Sequence, residues 1–393
     1  MSAAGVLDLA GLSLLEGGHL LLKVALAGLP VGGALEVRGG PREVEVDLRG
    51  WCRAQGHGFQ DQGGRLTVTR GAAQAGRWLH AERAGAAAAV SAVAEARWGL
   101  AARGAQVEAG VPALDYPLSR AEAVWAEEVP RLYAQAAAAQ WDPETAIDWA
   151  APLTHPEVVE DAVVQVMTYL LENETAALQV PARFVAQVHP HYREVLQLLA
   201  IQLADEARHL AVFSRRATLR RGALGLSTAG GQASLATLYD EPDFAVASFL
   251  LSVLGEGTFL SLLGFIATHA PDPVTHQVAR LALQDEARHV AYGLAHLGYQ
   301  LAREPGLRGR LAQAVERRYR ALQHTAGLNE EVFDALVLLA AGSLAPEAVR
   351  RGHQAVLDLR GEMDAGRRAR LAHLGFGAEE AAALSGLHTR NFM

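Results

Sequence analysis

The chain has 393 residues, half of them hydrophobic, with 35 Lys and Arg against 43 Asp and Glu and a formal charge of -8. That balance gives no pull toward nucleic acid or an anionic membrane, and the basic runs Arg215-Arg216 and Arg220-Arg221 read as solvated helix ends. The single cysteine, Cys52, excludes an internal disulfide framework and any Cys-based zinc or iron–sulfur cluster, leaving nitrogen and oxygen side chains as the ligand stock.

No basic region with an apolar run and cleavage site opens the chain, and no stretch approaches about 18 uninterrupted apolar residues, so a cytoplasmic protein without a membrane span is expected. The length exceeds one compact core, and texture divides it into 1–70, 71–150, 151–325 and 326–393. Ala and Leu dominate after the first seventy positions while β-branched residues thin out, which predicts a mainly α protein preceded by a small α+β domain.

Within 1–70, Val6 to Leu9, Leu35 to Arg38 and Leu66 to Thr69 read as short strands, and Gly17 to Ala27 as a helix. Val44, Val46 and Leu48 lead into Trp51-Cys52-Arg53-Ala54-Gln55-Gly56-His57, a second helix ended by Gly56. This layout, with its Trp-Cys-Arg-x-x-Gly-His segment, resembles the TusA/SirA-like sulfur-carrier family. That family carries Cys-Pro-x-Pro after its first strand, where this chain has Gly11 to Gly17 with neither Cys nor Pro. A structural or docking unit is therefore expected in place of a sulfur relay, for which Cys52 would need a lowered pKa with only Arg53 and His57 nearby.

Residues 71–150 read as Ala-rich helices packed around a bundle, broken near Gly104, Gly110 to Pro112 and Pro117, with Trp141-Asp142-Pro143 as a helix start. From Pro156 to about His324, four long amphipathic helices fit between breaks at Val180-Pro181, His189-Pro190, Gly225 to Gly231 and Pro271 to Pro273. Two or three further helices around Gly342 and Gly361 and a short irregular tail complete the chain. His189, His191 and His276 read as ordinary loop or helix-cap residues.

The chemistry lies in a repeat. Asp205-Glu206-Ala207-Arg208-His209 recurs eighty residues later as Asp285-Glu286-Ala287-Arg288-His289. On a helix, positions i and i+3 share a face, so Glu206 with His209 and Glu286 with His289 each aim a carboxylate and an imidazole at one point, one metal ion per pair. Bundles built this way add a Glu from each of two other helices. Glu256 supplies one, on the apolar face with Phe249, Val253, Phe259, Leu260 and Leu263. For the other, Glu174 continues the stripe Val163, Met167, Leu170, Ala177 and is preferred to Glu172, beside Gln165 and Thr168. Four buried carboxylates repel one another and lose hydration, and two divalent cations balance them. Asp205 and Asp285 are expected to brace the histidines, with the imidazole on the opposite helix as one arrangement. Arg208 and Arg288 either neutralise those aspartates or form surface ion pairs.

One His per ion in a carboxylate-rich set suits two Fe ions, alternatively Mn/Fe or two Mn. Residues 156–324 resemble the ferritin-like superfamily of dinuclear carboxylate proteins: a four-helix bundle, here with flanking helices. That resemblance implies O2 as co-substrate and an oxidase or oxygenase acting on a small-molecule substrate, with Glu174 and Glu256 as the carboxylates that shift. Phe259, Leu260, Met167 and Phe213 would line its apolar pocket. An electron-donor protein and homodimer assembly are the expected partners. The same fold hosts ferroxidases and peroxide scavengers, and a noncatalytic metal-stapled module is a third reading.

Overall fold

The computed structural model describes residues 5–323 and 330–390, with side chains to 388. The expected tail at 391–393 and His324 lie outside the described residues. The chain divides into two compact units, residues 1–83 with 105–112, and 84–104 with 113–393.

The first unit is α+β. β1 (Gly5–Asp8), α1 (His19–Ala27), β2 (Ala34–Arg38), α2 (Val44–Gln55), β3 (Gly58–Asp61) and β4 (Leu66–Thr69) build a sheet of order β1-β2-β4-β3. β1 pairs parallel to β2, and the other pairings are antiparallel. Gly56 ends α2 at φ 70°, a left-handed conformation that suits glycine. β3 was not foreseen: it is a polar edge strand in which Phe59 alone packs toward the core. Cys52 is fully buried between the helices and sheet, and burial pushes its thiol up to about 11, the opposite of what a reactive thiolate requires. A two-stranded ribbon of β5 (Glu82–Arg83) and β6 (Gln106–Val107) completes the unit.

The helices expected over 71–150 are largely absent. Among the described residues of that stretch only α3 (Ala121–Val124) and α4 (Val129–Ala138) form as α-helices. Gly76, Gly85, Gly99, Gly104 and Gly110 all adopt positive φ there, so glycine geometry overrides alanine's helix propensity. At Trp141-Asp142-Pro143 the structure has a turn capped by Asp142 through the Glu144 N–H (2.9 Å), with no helix following.

In the second unit, α5 (Glu157–Val185), α6 (Arg193–Thr218), a continuous helix through α8 (Phe244–Ser248) and α9 (Gly257–Thr268), and α10 (Pro273–Leu301) form the bundle. α8 and α9 are joined by a π-helical turn, Phe249–Glu256. α7 (Ala229–Tyr239) lies in the α6–α8 connection. α11 (Leu307–Leu322), α12 (Glu330–Ala341), α13 (Pro346–His373) and α14 (Ala378–Arg390) flank it, and α12, α13 and α9 share one apolar core with α5, α6 and α10. Gly342, at φ 68°, ends α12, whereas Gly361 sits inside an unbroken α13. The 25-residue run Phe244–Thr268 is apolar enough to cross a bilayer, yet 72% of its most apolar window is buried and it carries Glu256, so it is built as a core helix.

Arg216 is no solvated helix end. It is fully buried on α6, donates to both oxygens of Glu160 on α5 (2.9 Å each), and also reaches Asp272 (2.8 Å) and Thr275 (2.8 Å) at the start of α10. Asp272 in turn caps α10 through the Thr275 N–H. His189 and His191 are likewise buried. His189 caps the turn that opens α6, and His191 Nε2 accepts from the Ser91 N–H (2.9 Å), while Arg103 grips Glu194, so these groups strap 84–104 to the bundle.

Removing Arg216 leaves two buried carboxylates with His155 as the remaining side chain that contacts both. Arg216→Met is predicted to lower unfolding free energy by about 3–5 kcal/mol in urea titrations, against little change for the exposed Arg350→Met.

Candidate dinuclear metal centre

Four elements converge on one point at the middle of the bundle. α5 delivers Glu174, α6 delivers Glu206 and His209, the π-helical turn ends on Glu256, and α10 delivers Glu286 and His289. All six are at most 4% exposed. Glu172, the alternative to Glu174, is half-buried on another face of α5 and does not join them.

Two overlapping sets of ligand atoms lie within 4.8 Å of one another: Glu174, Glu206, His209 and Glu286, and Glu206, Glu256, Glu286 and His289. Glu206 and Glu286 therefore belong to both sets, a cross-over between the repeats where one pair per ion was expected. His209 Nδ1 lies 3.2 Å from both Glu206 Oε2 and Glu286 Oε1, and 3.6 Å from Glu174 Oε2. His289 Nδ1 lies 3.0 Å from Glu206 Oε1 and 3.5 Å from Glu286 Oε2.

The far nitrogens are braced across the repeat. His209 Nε2 is 3.3 Å from Asp285 Oδ2, and His289 Nε2 is 3.2 Å from Asp205 Oδ2, so each aspartate holds the imidazole of the opposite helix. An Nε2–H donated outward leaves the Nδ1 lone pair facing the carboxylates, the form a metal requires. Arg208 and Arg288 each contact both aspartates. Two further groups complete this layer: Gln140 Nε2 donates to Asp205 (3.0 Å) and Trp141 Nε1 to Asp285 (2.7 Å), with Arg208 stacked on the Trp141 ring. Nothing in their spacing announced them, because they reach the site from an irregular segment.

The electrostatics show how far this cluster departs from a neutral core. Burial, reinforced by Glu206 and Glu286, raises Glu174 well above the usual carboxylate range, and burial with Glu286 does the same to Glu256. Burial opposes ionisation of Glu206 as well, but the His289 charge and the hydrogen bond with His209 hold it low. Burial would lower both imidazoles, yet Asp285 and three glutamates raise His209, and Glu206, Glu286 and Asp205 raise His289. Meanwhile Glu206 Oε1, Glu256 Oε2, both Glu286 oxygens and His289 Nδ1 are buried and make no hydrogen bond. Buried polar atoms are rarely left so, and a shared set aimed inward fits a pair of divalent cations, four negative charges against four positive. Oxygen donors with one imidazole per position match iron or manganese.

An apolar cavity adjoins the cluster. Glu174 and Glu256 line it together with Ala177, Leu250, Leu251 and Phe259. Of the four residues expected to line a pocket, only Phe259 does so; Met167 and Phe213 are packed into the core, and Leu260 faces elsewhere.

Glu206→Ala or Glu286→Ala is predicted to abolish binding of both ions, whereas Glu174→Ala or Glu256→Ala removes the ligand of one set only, as read by metal-to-protein ratios after loading. In the metal-free protein the raised glutamates and imidazoles contribute stability that is present at low pH and lost as pH rises through their folded-state values. Metal-free protein is therefore predicted to melt lower as pH is raised from about 5 to about 8, and bound metal to suppress that loss.

No family model and no curated protein matches the chain. Solved structures similar to it include a protein with aldehyde deformylating oxidase activity from Synechococcus, 16% identical at a TM-score of 0.42, covering 61% of this chain and 98% of that one. Another is an R2-like ligand-binding oxidase variant with a Mn/Fe cofactor, 17% identical at a TM-score of 0.47, covering 62% and 92%. A third is the R2-like ligand-binding oxidase from Sulfolobus acidocaldarius, 15% identical at a TM-score of 0.42, covering 61% and 90%.

Proposed function

We propose that the chain is a dinuclear non-haem oxidase that acts on a small organic molecule held beside the cluster. The observation that carries this reading is the conjunction of six inward-aimed ligand residues with an apolar cavity that opens onto two of them, Glu174 and Glu256. A pair of iron ions, or manganese with iron, would supply dioxygen activation when bound.

The protein's share is positional. Glu206 and Glu286 hold both positions at a fixed separation, because each reaches both histidines. Glu174 and Glu256 each serve one set and line the cavity, so with metal bound they would be the carboxylates able to shift toward it. Asp205 and Asp285 keep the imidazoles in one tautomer, and Arg208 and Arg288 cap those aspartates. Leu250, Leu251 and Phe259 exclude water from the reacting face. A substrate that yields fewer than four electrons per O2 would require a separate electron-donor protein for the remainder. The mainly apolar lining of the cavity beside Glu174 and Glu256 favours oxidation of an organic molecule.

Full-length protein loaded anaerobically with Fe(II) and then given air tests this in an oxygen electrode. Dioxygen uptake in proportion to the bound pair is predicted, with metal retained and uptake lost in Glu206→Ala. Continued oxidation and accumulation of iron beyond the pair, or no uptake by the loaded protein, would contradict the reading.

A further inference from the structure

A second void lies near the ligand set, separate from the cavity that Glu174 and Glu256 line. Val180 and Phe184 of α5, Leu199 of α6, Ala247 of α8 and Leu251 of the π-helical turn enclose about 20 Å³ of free volume there. Gln202 belongs to the same lining, and its side-chain N–H donates to Glu256 Oε1 (3.4 Å), so one side chain separates the void from a ligand carboxylate. Leu251 is a wall shared with the cavity at Glu174 and Glu256, which also holds about 20 Å³. Phe184 and Phe244 are shared in the other direction, with a groove of about 230 Å³ bordered by the exposed Pro117 and Pro242.

Three spaces thus follow one another from the surface to the cluster, and the walls they share are single side chains. The Phe184 and Phe244 rings, with centroids 5.2 Å apart, form the first wall, and Leu251 forms the second. Such walls part when a side chain rotates, an event that a packed interior allows transiently. The void has room for about one water or one diatomic molecule. Water needs two to four polar partners to settle in a space of that size. Of the polar side chains on the lining, Gln202 is engaged with Glu256 and Tyr292 donates to the Val124 carbonyl (3.1 Å), so the surface left to a guest is mostly carbon. His296 packs behind Phe244 (ring centroids 5.0 Å), and burial holds its imidazole down to about 3, so it brings no charge to the first wall. An apolar gas loses nothing by leaving water for such a place.

We propose that this void is an inlet for dioxygen, which enters from the groove past Phe184 and Phe244, rests against Leu199 and Ala247, and passes Leu251 to reach Glu174 and Glu256. Selection is by size and polarity: rotation of single side chains admits two atoms and holds back hydrated ions and larger molecules. The inlet leaves the cavity beside the ligand carboxylates to the organic molecule, so the two reactants need not share an entrance. Affinity of the void for an apolar gas depends on its lining and not on metal; only the use of that gas rests on the oxidase reading.

Crystals of full-length protein under krypton pressure, with and without iron, and stopped-flow mixing of anaerobically iron-loaded protein with dioxygen test the inlet. A krypton peak is predicted between Phe184 and Leu251 in both crystals, and none in Ala247→Leu, whose added carbons fill the void. The second-order rate constant for oxidation of the bound iron is predicted to fall roughly tenfold in Ala247→Leu and to rise roughly threefold in Phe184→Ala, with iron content unchanged. Because Ala247→Leu can overpack the helix and fail to fold, krypton in the unaltered protein and the rate in Phe184→Ala decide the matter by themselves. An empty void under krypton, or a rate unmoved in Phe184→Ala or in folded Ala247→Leu, would overturn the inlet and leave the oxidase reading standing wherever the loaded protein consumes dioxygen. Krypton in the void of a protein whose bound iron consumes no dioxygen would overturn the oxidase reading, and with it the use assigned to the void.

Discussion

Four carboxylates and two imidazoles meet in a part of the bundle that water does not reach, and most other features of the second unit answer to that constraint. In so dry a place like charges cannot coexist at close range, so either protons or cations must balance them. The orphaned oxygens of Glu206, Glu256 and Glu286 show that the side chains' own hydrogen bonds do not complete the balance. Holding such a cluster requires helices that bring several ligands to one place without shifting. The buried Arg216 network ties α5, α6 and α10 together at one end, and the apolar contacts of α9, α12 and α13 close the sides.

The surroundings of the cluster are unequal. On one side lie the crossed aspartates, the two arginines, Gln140 and Trp141, a polar layer whose hydrogen bonds fix the imidazoles and leave little room. On the other lies a small cavity lined mainly by apolar side chains, Ala177, Leu250, Leu251 and Phe259 among them. The polar layer supplies orientation and the cavity supplies access. The symmetry of the two pentapeptides therefore stops at the ligands: repeated residues build the ion pair of positions, and unrepeated ones decide what can approach it.

Much of the site was legible because its signal is local. Glu-x-x-His sets two side chains on one helical face whatever the tertiary structure, and its duplication with Asp and Arg in step made the pairing readable. Glu174 was separable from Glu172 because a two-residue step on a helix turns a side chain roughly 200°, to another face. What escaped was of two kinds. Gln140 and Trp141 act from an irregular segment, where no period reports which way a side chain turns. The π-helical turn before Glu256 adds a residue to the helical repeat, and flanking Gly255 and Gly257 hint at it without specifying it.

The fold errors have the same origin. Alanine content pointed to helices over 71–150, but glycines at positive φ decide backbone course more strongly than propensity does. Arg216 looked like a helix-end charge because the partners that bury it, Glu160 and Asp272, are 56 residues away on either side.

Anomalous diffraction from crystals loaded with iron and manganese, recorded at both absorption edges, tests the central claim most directly. Two adjacent peaks are predicted, both within reach of Glu206 and Glu286, one beside Glu174 and His209 and the other beside Glu256 and His289. A map without metal there, with the glutamates turned apart toward solvent, would contradict the account.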